Sequence, residues 1–161
     1  APSLVGSEMC IRDSFYFYSK SFIRKHRNYF KINKRGFGED AFHGMWDFLF
    51  FNYKPKLVLE IGVYRGQTLS LFNYLSNYYK VKSEVWGVSP LTSVGDNVSN
   101  YIDINYEEDI EFNFNKFNLK KPNIFIGHSD SDTGKKFIQS KKWDLIYIDG
   151  SHEYELSLIH I

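Results

Sequence analysis

Cysteine is nearly absent from this sequence of 161 residues, since Cys10 is its only example. A single cysteine forms no internal disulfide, so a disulfide framework is excluded as the source of stability. Cys10 also lies in a terminal stretch that we expect to be foreign to the protein, which would leave the rest without a thiol nucleophile. A reducing, cytoplasmic setting is consistent with this composition.

Long apolar runs and an excess of one charge are missing as well. No stretch reaches the roughly 20 apolar residues that cross a bilayer, so we expect no membrane partner. The formal net charge is +1, which excludes a strong field around the whole protein. Hydrophobic residues make up 43% of the sequence, which is enough for the core of one domain of ordinary size.

Both ends of the sequence look foreign to the rest. Residues 1–14 and 156–161 resemble translated adapter sequence of the kind found at the ends of some environmental sequences. We therefore expect non-native tails there and leave them out of the fold prediction. The alternative is a frayed amino terminus and, at the other end, the beginning of a helix.

The stretch from Lys56 to Phe72 organises the chain. It begins with Leu57 to Ile61, a short apolar run typical of a strand buried on both faces of a parallel sheet. Gly62 and Gly66 then bracket a turn, after which apolar residues recur at helical spacing. In such a unit the strand end, the glycine backbone and the first free N–H groups of the helix converge on a ligand site.

The glycine spacing disfavours two common nucleotide motifs. A dinucleotide fingerprint needs glycine where Tyr64 and Gln67 stand, and an acid about 20 residues later, where this chain has Ser89-Pro90. The phosphate-loop pattern, Gly-x-x-x-x-Gly-Lys-Ser/Thr, is absent, and Gly134-Lys135-Lys136 follows no suitable strand. Nicotinamide and flavin dinucleotides are therefore disfavoured.

Three more strands are predicted, at Glu84 to Val88, Ile124 to Ile126 and Leu145 to Ile148. They alternate with helical segments, of which 104–119 is the clearest because its acids come early and its lysine late. This alternation requires right-handed crossovers and a parallel sheet. We expect an α/β, Rossmann-like sheet with helices on both faces and strand order 3-2-1-4.

The region 15–52 is predicted to be helical. Phe15 to Phe37 interleaves aromatic and basic residues, a pattern that binds nucleic acid or an anionic surface in some proteins. The low net charge favours the simpler interpretation, an amphipathic helix with a solvated basic face, and disfavours a nucleic-acid partner. Ala41 to Asn52 follows as a helix with an apolar stripe.

Four segments, in matching order, resemble class I S-adenosylmethionine-dependent methyltransferases. They are Glu60-x-Gly62-x-x-x-Gly66, Glu84 to Pro90, Ile124 to Ser129 and Trp143 to Tyr154. The last is similar to the Asp-Gly-x-His-x-Tyr segment of a small-molecule O-methyltransferase branch. The resemblance implies a partial methyltransferase domain at 53–155, with about three strands of the family's domain missing after it.

The resemblance also implies S-adenosylmethionine as cofactor. The family's motif I acid holds the methionine end, a role in which Glu60 would suit the ammonium group; a carboxylate capping a helix is the alternative. Gly62 and Gly66 would let the backbone approach the cofactor, with Tyr64 in the same turn. We expect Gly62→Val to abolish cofactor binding while leaving the fold largely intact, because the new side chain would enter the cleft.

Weaker matches concern the ribose and adenine ends of the cofactor. The family places an acid after the second strand, where this chain has Ser89; Asp96, further along the loop, is either its substitute or a turn residue. Ser129 and Asp130 follow the third strand, where the family contacts adenine. Helix capping is an equally good interpretation of that pair.

Asp149 and His152 follow the fourth strand and are the candidate catalytic residues. His152 would act as general base toward a substrate hydroxyl, or Asp149 would be one ligand of a divalent metal that lowers the pKa of that hydroxyl. The remaining metal ligands would come from the missing part.

The resemblance implies methyl transfer to a small-molecule acceptor, which we expect to be an oxygen of a sugar or natural product. We expect the chain as given to be inactive alone, because Leu145 to Ile148 would form an uncovered apolar edge. Two alternatives stay open: a nucleotide- or dinucleotide-binding Rossmann protein, and a non-enzymatic binding module with a basic amino-terminal arm.

Overall fold

The computed structural model describes residues 19–93 and 102–150. The chain divides into two compact units, Ala1–Lys54 and Pro55–Ile161. The predicted tails, at 1–14 and 156–161, lie outside the described residues, as do Asp96 and His152. Within the described residues, no helix combines the length and the apolar character that crossing a membrane requires.

The first unit contains two helices, α1 (Ser21–Ile32) and α2 (Asp40–Tyr53). Their buried apolar side chains are Ile23, Phe30, Trp46 and Phe50. The apolar stripe predicted between Ala41 and Asn52 therefore belongs to a helix, as expected, that extends one residue further at each end.

The predicted solvated basic face of the first helix is wrong for His26 and Arg27, which are both buried. Arg27 Nε donates to Asp40 Oδ1 at 2.7 Å, and the guanidinium also donates to two backbone carbonyls of the following loop. Lys31 Nζ donates to the other oxygen of Asp40 at 3.0 Å. The aromatic and basic pattern thus arises partly from ion pairs within the unit, since a buried guanidinium requires such partners.

The second unit contains a four-stranded parallel sheet of order β3-β2-β1-β4. Its elements are β1 (Leu57–Ile61), α3 (Gln67–Tyr78), β2 (Glu84–Ser89), α4 (Tyr106–Lys116), β3 (Asn123–Ile126), α5 (Asp132–Gln139) and β4 (Leu145–Ile148). The predicted order and the four predicted strands are confirmed. Helix α4 is shorter than the predicted 104–119. Asn105 caps its start, accepting from the Glu108 N–H at 3.2 Å, and it ends before Asn118, whose φ is +52°.

The sheet is covered by helices on both faces, as predicted. On one face the buried side chains of Leu59, Ile61 and Val88 pack against Phe137 and Ile138 of α5. These residues alternate along their strands with side chains that point to the opposite face, as the pleat requires.

Helix α3 covers the opposite face. Leu69 and Phe72 are fully buried there, and the ring of Phe72 lies 6.5 Å from the ring of Tyr147 on β4, edge to face. Glu60 belongs to this face because it is the register partner of Tyr147. The side chains beneath α3 are therefore not all apolar.

Asp144 fastens β4 to β1 at the amino end of the sheet. Its carboxylate Oδ2 accepts from the backbone N–H groups of Lys56 and Leu57, at 2.7 and 2.9 Å. Its own N–H donates to the carbonyl of Leu57 at 2.8 Å. A charged acceptor with two N–H donors makes strong hydrogen bonds, and these fix the register of the two strands.

Candidate functional site

Residues 62–66, which we name the glycine turn, begin where three strands end. The N–H of Gly62 donates to the carbonyl of Val88 at 2.9 Å, and the N–H of Asp149 donates to the carbonyl of Ile61 at 2.7 Å. The turn therefore leaves β1 between the carboxyl ends of β2 and β4. In an open α/β sheet this is the edge at which ligands bind.

Glycine is required at position 62 by the packing of the protein's own backbone. Its φ is +95°, and a Cβ there would stand 2.2 Å from the carbonyl oxygen of Asp149 and 2.5 Å from the Cα of Gly150. The expectation that Gly62→Val leaves the fold intact is therefore wrong, because the side chain would meet backbone instead of an open cleft. The glycine allows β4 to end directly beside the turn.

Gly66 ends the turn and caps α3 in the left-handed conformation, with φ +76°. A Cβ there would lie 3.1 Å from Ile110 Cγ2 and 3.5 Å from Phe114, both on α4. Both glycines of the predicted motif are thus explained by close packing on opposite sides, one against β4 and the other against α4.

Glu60 lies at the base of the turn and is 3% exposed. Its carboxylate accepts from the Leu69 N–H and the Thr68 hydroxyl, in the first turn of α3. The capping alternative is therefore part of its role. Its second oxygen, Oε2, has no hydrogen-bond partner among the described residues, so half of the carboxylate is left for another group.

Tyr147 of β4 and Asp149, which follows that strand directly, lie beside Glu60 of β1. The Tyr147 hydroxyl is hydrogen-bonded to the Asp149 carboxylate, and burial together with that charge raises the pKa of Tyr147. Burial, and secondarily the charge of Asp149, raises the pKa of Glu60 well above its usual value. The site therefore has a negative potential that a bound cation would relieve.

Ser89 has a bracing role. It is buried, its hydroxyl donates to the carbonyl of Val63 at 3.0 Å, and its Oγ accepts from the N–H of Leu91 at 3.4 Å. Its hydroxyl proton is therefore already used to hold the glycine turn. Only the remaining lone pair of Oγ would be left for a ribose hydroxyl.

Ser129 and Asp130 form a turn between β3 and α5. The residue that caps α5 is their neighbour Ser131, whose Oγ accepts from the Gly134 N–H at 3.0 Å. Capping therefore does not account for Ser129 and Asp130. They lie at the carboxyl end of β3, two strands away from Glu60 in the sheet.

Sequence reasoning missed the contribution of α4. Arg65 of the glycine turn donates from Nε and Nη2 to the two carboxylate oxygens of Asp109, at 2.6 and 3.0 Å. Asn113 Nδ2 donates to the carbonyl of Arg65 at 2.9 Å. The available signal was the charge inside a ligand-binding turn, together with an acid and an amide four residues apart on a helix.

Tyr64 also contacts α4. Its ring lies 5.6 Å from the ring of Tyr106, and burial raises the pKa of its hydroxyl. Arg65 is hydrogen-bonded to the side chain of Tyr64. Tyr64 is half-buried, so part of its side chain stays accessible at the turn.

The described residues do not assemble a metal centre. In 19–93 and 102–150, no group of three or more His, Cys, Asp or Glu side chains is placed to hold a metal ion. Asp149 lies close enough to Glu60 and Tyr147 to influence the pKa of each. A divalent ion requires more oxygen ligands than this part of the chain supplies.

Comparisons with known proteins identify the architecture. No family model matches the chain, and no curated protein matches it. The methyltransferase PaMTH1 from Podospora anserina, solved with S-adenosylhomocysteine bound, is similar with a TM-score of 0.61 and 14% identity, over 93% of this chain and 60% of that one. A Staphylococcus aureus protein assigned as a caffeoyl-CoA O-methyltransferase has a TM-score of 0.56 and 15% identity, over 88% of this chain and 59% of its own.

The chain has the class I methyltransferase fold. The resemblance predicted from four segments is confirmed at the level of architecture, and the glycine turn lies at the carboxyl edge of that fold. The chain spans about 60% of the length of these methyltransferases. The similarity therefore does not extend to the activity, substrates or partners of these longer proteins.

Proposed function

We propose that this chain is the cofactor-binding part of an S-adenosylmethionine-dependent methyltransferase. Its acceptor would be a small molecule, with an oxygen of a sugar or natural product receiving the methyl group. The observation that carries this proposal is the buried carboxylate of Glu60, which has one oxygen without a partner beside the glycine turn. The fold supports the proposal because the solved structures that share it are methyltransferases.

The unpaired oxygen of Glu60 fits the ammonium group of the cofactor. A buried polar atom without a hydrogen bond costs about 1–3 kcal/mol, and more when it is charged. An ammonium group would supply the missing donor and the compensating charge at once, and would restore the ionised form that burial and Asp149 disfavour. The residues that are present therefore suit a cationic ligand at this position.

Three elements would hold the remainder of the cofactor. The backbone of the glycine turn and the amino end of α3 would face its carboxylate. The Ser89 hydroxyl oxygen would accept from the ribose, and Ser129 and Asp130 would lie toward the adenine. Ser89 is tied to the turn through Val63, so ribose binding and turn geometry would be coupled.

Methyl transfer is an in-line displacement, so the protein's main contribution is alignment of the acceptor with the sulfonium methyl group. The acceptor hydroxyl must also lose a proton. Asp149 is exposed beside the cleft and already accepts a hydrogen bond from Tyr147, which leaves lone pairs that face solvent. We propose Asp149 as proton acceptor or as one ligand of an assisting divalent ion, with His152 as the alternative base.

The basic-arm alternative receives less support from the structure. Lys20 donates to Asp47 at 2.7 Å, and Arg27 and Lys31 share the carboxylate of Asp40. Three of the basic side chains that suggested an anionic partner are therefore paired with carboxylates of their own unit, two of them sharing one carboxylate. A cytoplasmic location stays a prediction from composition.

Calorimetric titration of S-adenosylhomocysteine, NAD and an oligonucleotide tests the proposal. Of the three ligands, we expect only S-adenosylhomocysteine to bind the parent protein. Glu60→Gln should weaken that binding by about 10- to 100-fold, the equivalent of one charged hydrogen bond. Glu108→Gln, an exposed carboxylate on α4, serves as the matched control and should bind as the parent does. Equal affinity in Glu60→Gln, or preference for NAD, would refute the assignment.

A further inference from the structure

We infer that α4 positions the glycine turn for the cofactor through an ion pair, with Asp109 and Asn113 as positioning residues. The inference rests on the function proposed above, because it assigns to α4 control of the cofactor loop. It concerns side chains on α4 that would act through Arg65 without touching the ligand.

The geometry of the pair is specific. The Arg65 guanidinium meets the Asp109 carboxylate in a two-pronged arrangement, with N–O distances of 2.6 and 3.0 Å. The two side chains are 10% and 13% exposed. Asn113 Nδ2 adds bonds to the Arg65 carbonyl at 2.9 Å and to Asp109 Oδ2 at 3.4 Å. Both the side chain and the backbone of Arg65 are thereby fixed by one helix.

The neighbouring turn residues contact the same face of α4. Tyr64 packs on Tyr106, and Gly66 lies against Ile110 and Phe114. The α4 residues that face the turn are spaced by three or four positions, namely Tyr106, Asp109, Ile110, Asn113 and Phe114. Three consecutive turn residues therefore lie along a single helical stripe.

This arrangement has a consequence for ligand binding. The glycine turn connects Glu60 to the first turn of α3, so its path sets the spacing between the unpaired carboxylate oxygen and the amino end of the helix. Arg65 is committed to Asp109 and Tyr64, so it does not stand free as a clamp for the cofactor carboxylate. Weakening the pair should alter the turn more than the sheet, whose central strands β1 and β2 are tied together by their own ladder.

The test uses two ion pairs on the same helix. Asp109→Asn keeps the shape of the side chain and removes its charge, whereas Glu111→Gln disrupts the exposed pair between Glu111 and Lys121, which does not involve the glycine turn. We expect Asp109→Asn to lower the affinity for S-adenosylhomocysteine about 10-fold, and Glu111→Gln to leave it unchanged. Arg65→Lys keeps the charge but cannot make the bidentate contact with Asp109, so it should lower the affinity by an intermediate factor.

A second readout separates positioning from general stability. Hydrogen exchange of the amides in the glycine turn should accelerate at least about 10-fold in Asp109→Asn, while amides of β1 and β2 exchange as in the parent. Parent-like affinity and parent-like turn exchange in a folded Asp109→Asn would overturn the inference. If Asp109→Asn fails to fold, the same two measurements on Arg65→Lys decide.

The two proposals fail in different ways. If the parent protein does not bind S-adenosylhomocysteine, the proposed function is wrong, and turn exchange in Asp109→Asn against Glu111→Gln still decides whether α4 positions the turn. If the parent binds and Asp109→Asn binds equally well, the function stands and the positioning role is refuted.

Discussion

The two flanks of the glycine turn are built in contrasting ways. Toward β4, the turn meets backbone, and Glu60 keeps one unpaired oxygen and a pKa that is raised by burial and, secondarily, by the charge of Asp149. Toward α4, Arg65 and Asp109 satisfy each other. Each flank has a buried or half-buried carboxylate, Glu60 on the first and Asp109 on the second. Of the two, only Asp109 is paired with a cation in the described part of the chain, Arg65.

Under the proposed function, this difference distinguishes the flank that would bind the ligand from the flank that would support it. A native protein leaves few buried polar atoms unpaired, and each exception calls for an explanation. The β4 flank keeps its unsatisfied carboxylate where a cationic group would reach it. On the α4 flank, Arg65 and Asp109 already pair with each other, so this flank needs no ligand to satisfy its charges. It can therefore support the turn.

The largest expected effect is on the backbone of the β4 flank. Gly62→Ala would place a Cβ 2.2 Å from the Asp149 carbonyl, at a φ of +95°. Because backbone atoms on both sides would have to move, we expect the free energy of unfolding to fall by more than about 4 kcal/mol, or the protein not to fold. Denaturant titration measures it. A loss below about 1 kcal/mol would show that the end of β4 is freer than this packing indicates.

The next effect is a pH dependence with opposite signs for folding and binding. Since the folded pKa of Glu60 lies above its unfolded value of 4.5, its contribution to stability is fully present below that value and is lost as pH rises through the folded pKa. Affinity for a cationic ligand should instead rise over the same range, as Glu60 ionises. Denaturant and calorimetric titrations between about pH 4 and 9 check both signs.

Glu60→Gln is the matched variant for that experiment. It cannot ionise, so both slopes attributable to residue 60 should disappear. Parallel pH profiles in the parent and in Glu60→Gln would mean that the pKa of Glu60 is ordinary and that the contrast between the flanks is only geometric.

A smaller effect is expected on the α4 flank. Gly66→Ala meets the side chains of Ile110 and Phe114, at 3.1 and 3.5 Å, which yield more easily than backbone. We expect a loss of about 1–3 kcal/mol from the positive φ and the tighter packing. In a double-mutant cycle with Ile110→Ala, the two losses should be less than additive, because the smaller side chain relieves the crowding. A loss as large as that of Gly62→Ala would remove the distinction between side-chain and backbone packing.

The smallest effect concerns electrostatics alone. Asp149→Asn should lower the pKa of Glu60, because the charge of Asp149 is a secondary cause of its elevation after burial. Nuclear magnetic resonance titration of the Glu60 carboxyl carbon measures this directly. Asp130→Asn, which changes an exposed carboxylate at the end of β3, provides the control. An equal Glu60 pKa in the parent and in Asp149→Asn would mean that the charge of Asp149 does not influence Glu60.

The strands and their order were predictable, because apolar runs between helical segments leave few topologies for a parallel sheet. Leu145–Ile148 was predicted to the residue. Glu60 and Gly62 were selected through their resemblance to the first methyltransferase motif, and their role in cofactor binding stays a prediction. The reason for Gly62 was not predictable, since its neighbour Asp149 is 87 residues away and joins it only through the sheet register.

The side chains of α4 show the other limit of sequence reasoning. A periodic pattern indicates which face of a helix is buried, but it does not tell which partner lies beneath that face. Asp109 looked like an ordinary acid in the first turn of a helix. Its partnership with Arg65 depends on where the crossover carries α4 in space.

The bonds from Asp144 to Lys56 and Leu57 have a consequence for the protein during its synthesis. They join residues 88 and 87 positions apart. Strand β1 can therefore pair with β4 only after the intervening chain has been synthesised. At ribosomal rates of about 5–20 residues per second, that interval is roughly 4 to 18 seconds. For that time one edge of a nearly continuous apolar strand lacks its neighbour, although β2 becomes available much earlier. A nascent chain paused before residue 144 would therefore leave that edge of β1 without its β4 neighbour.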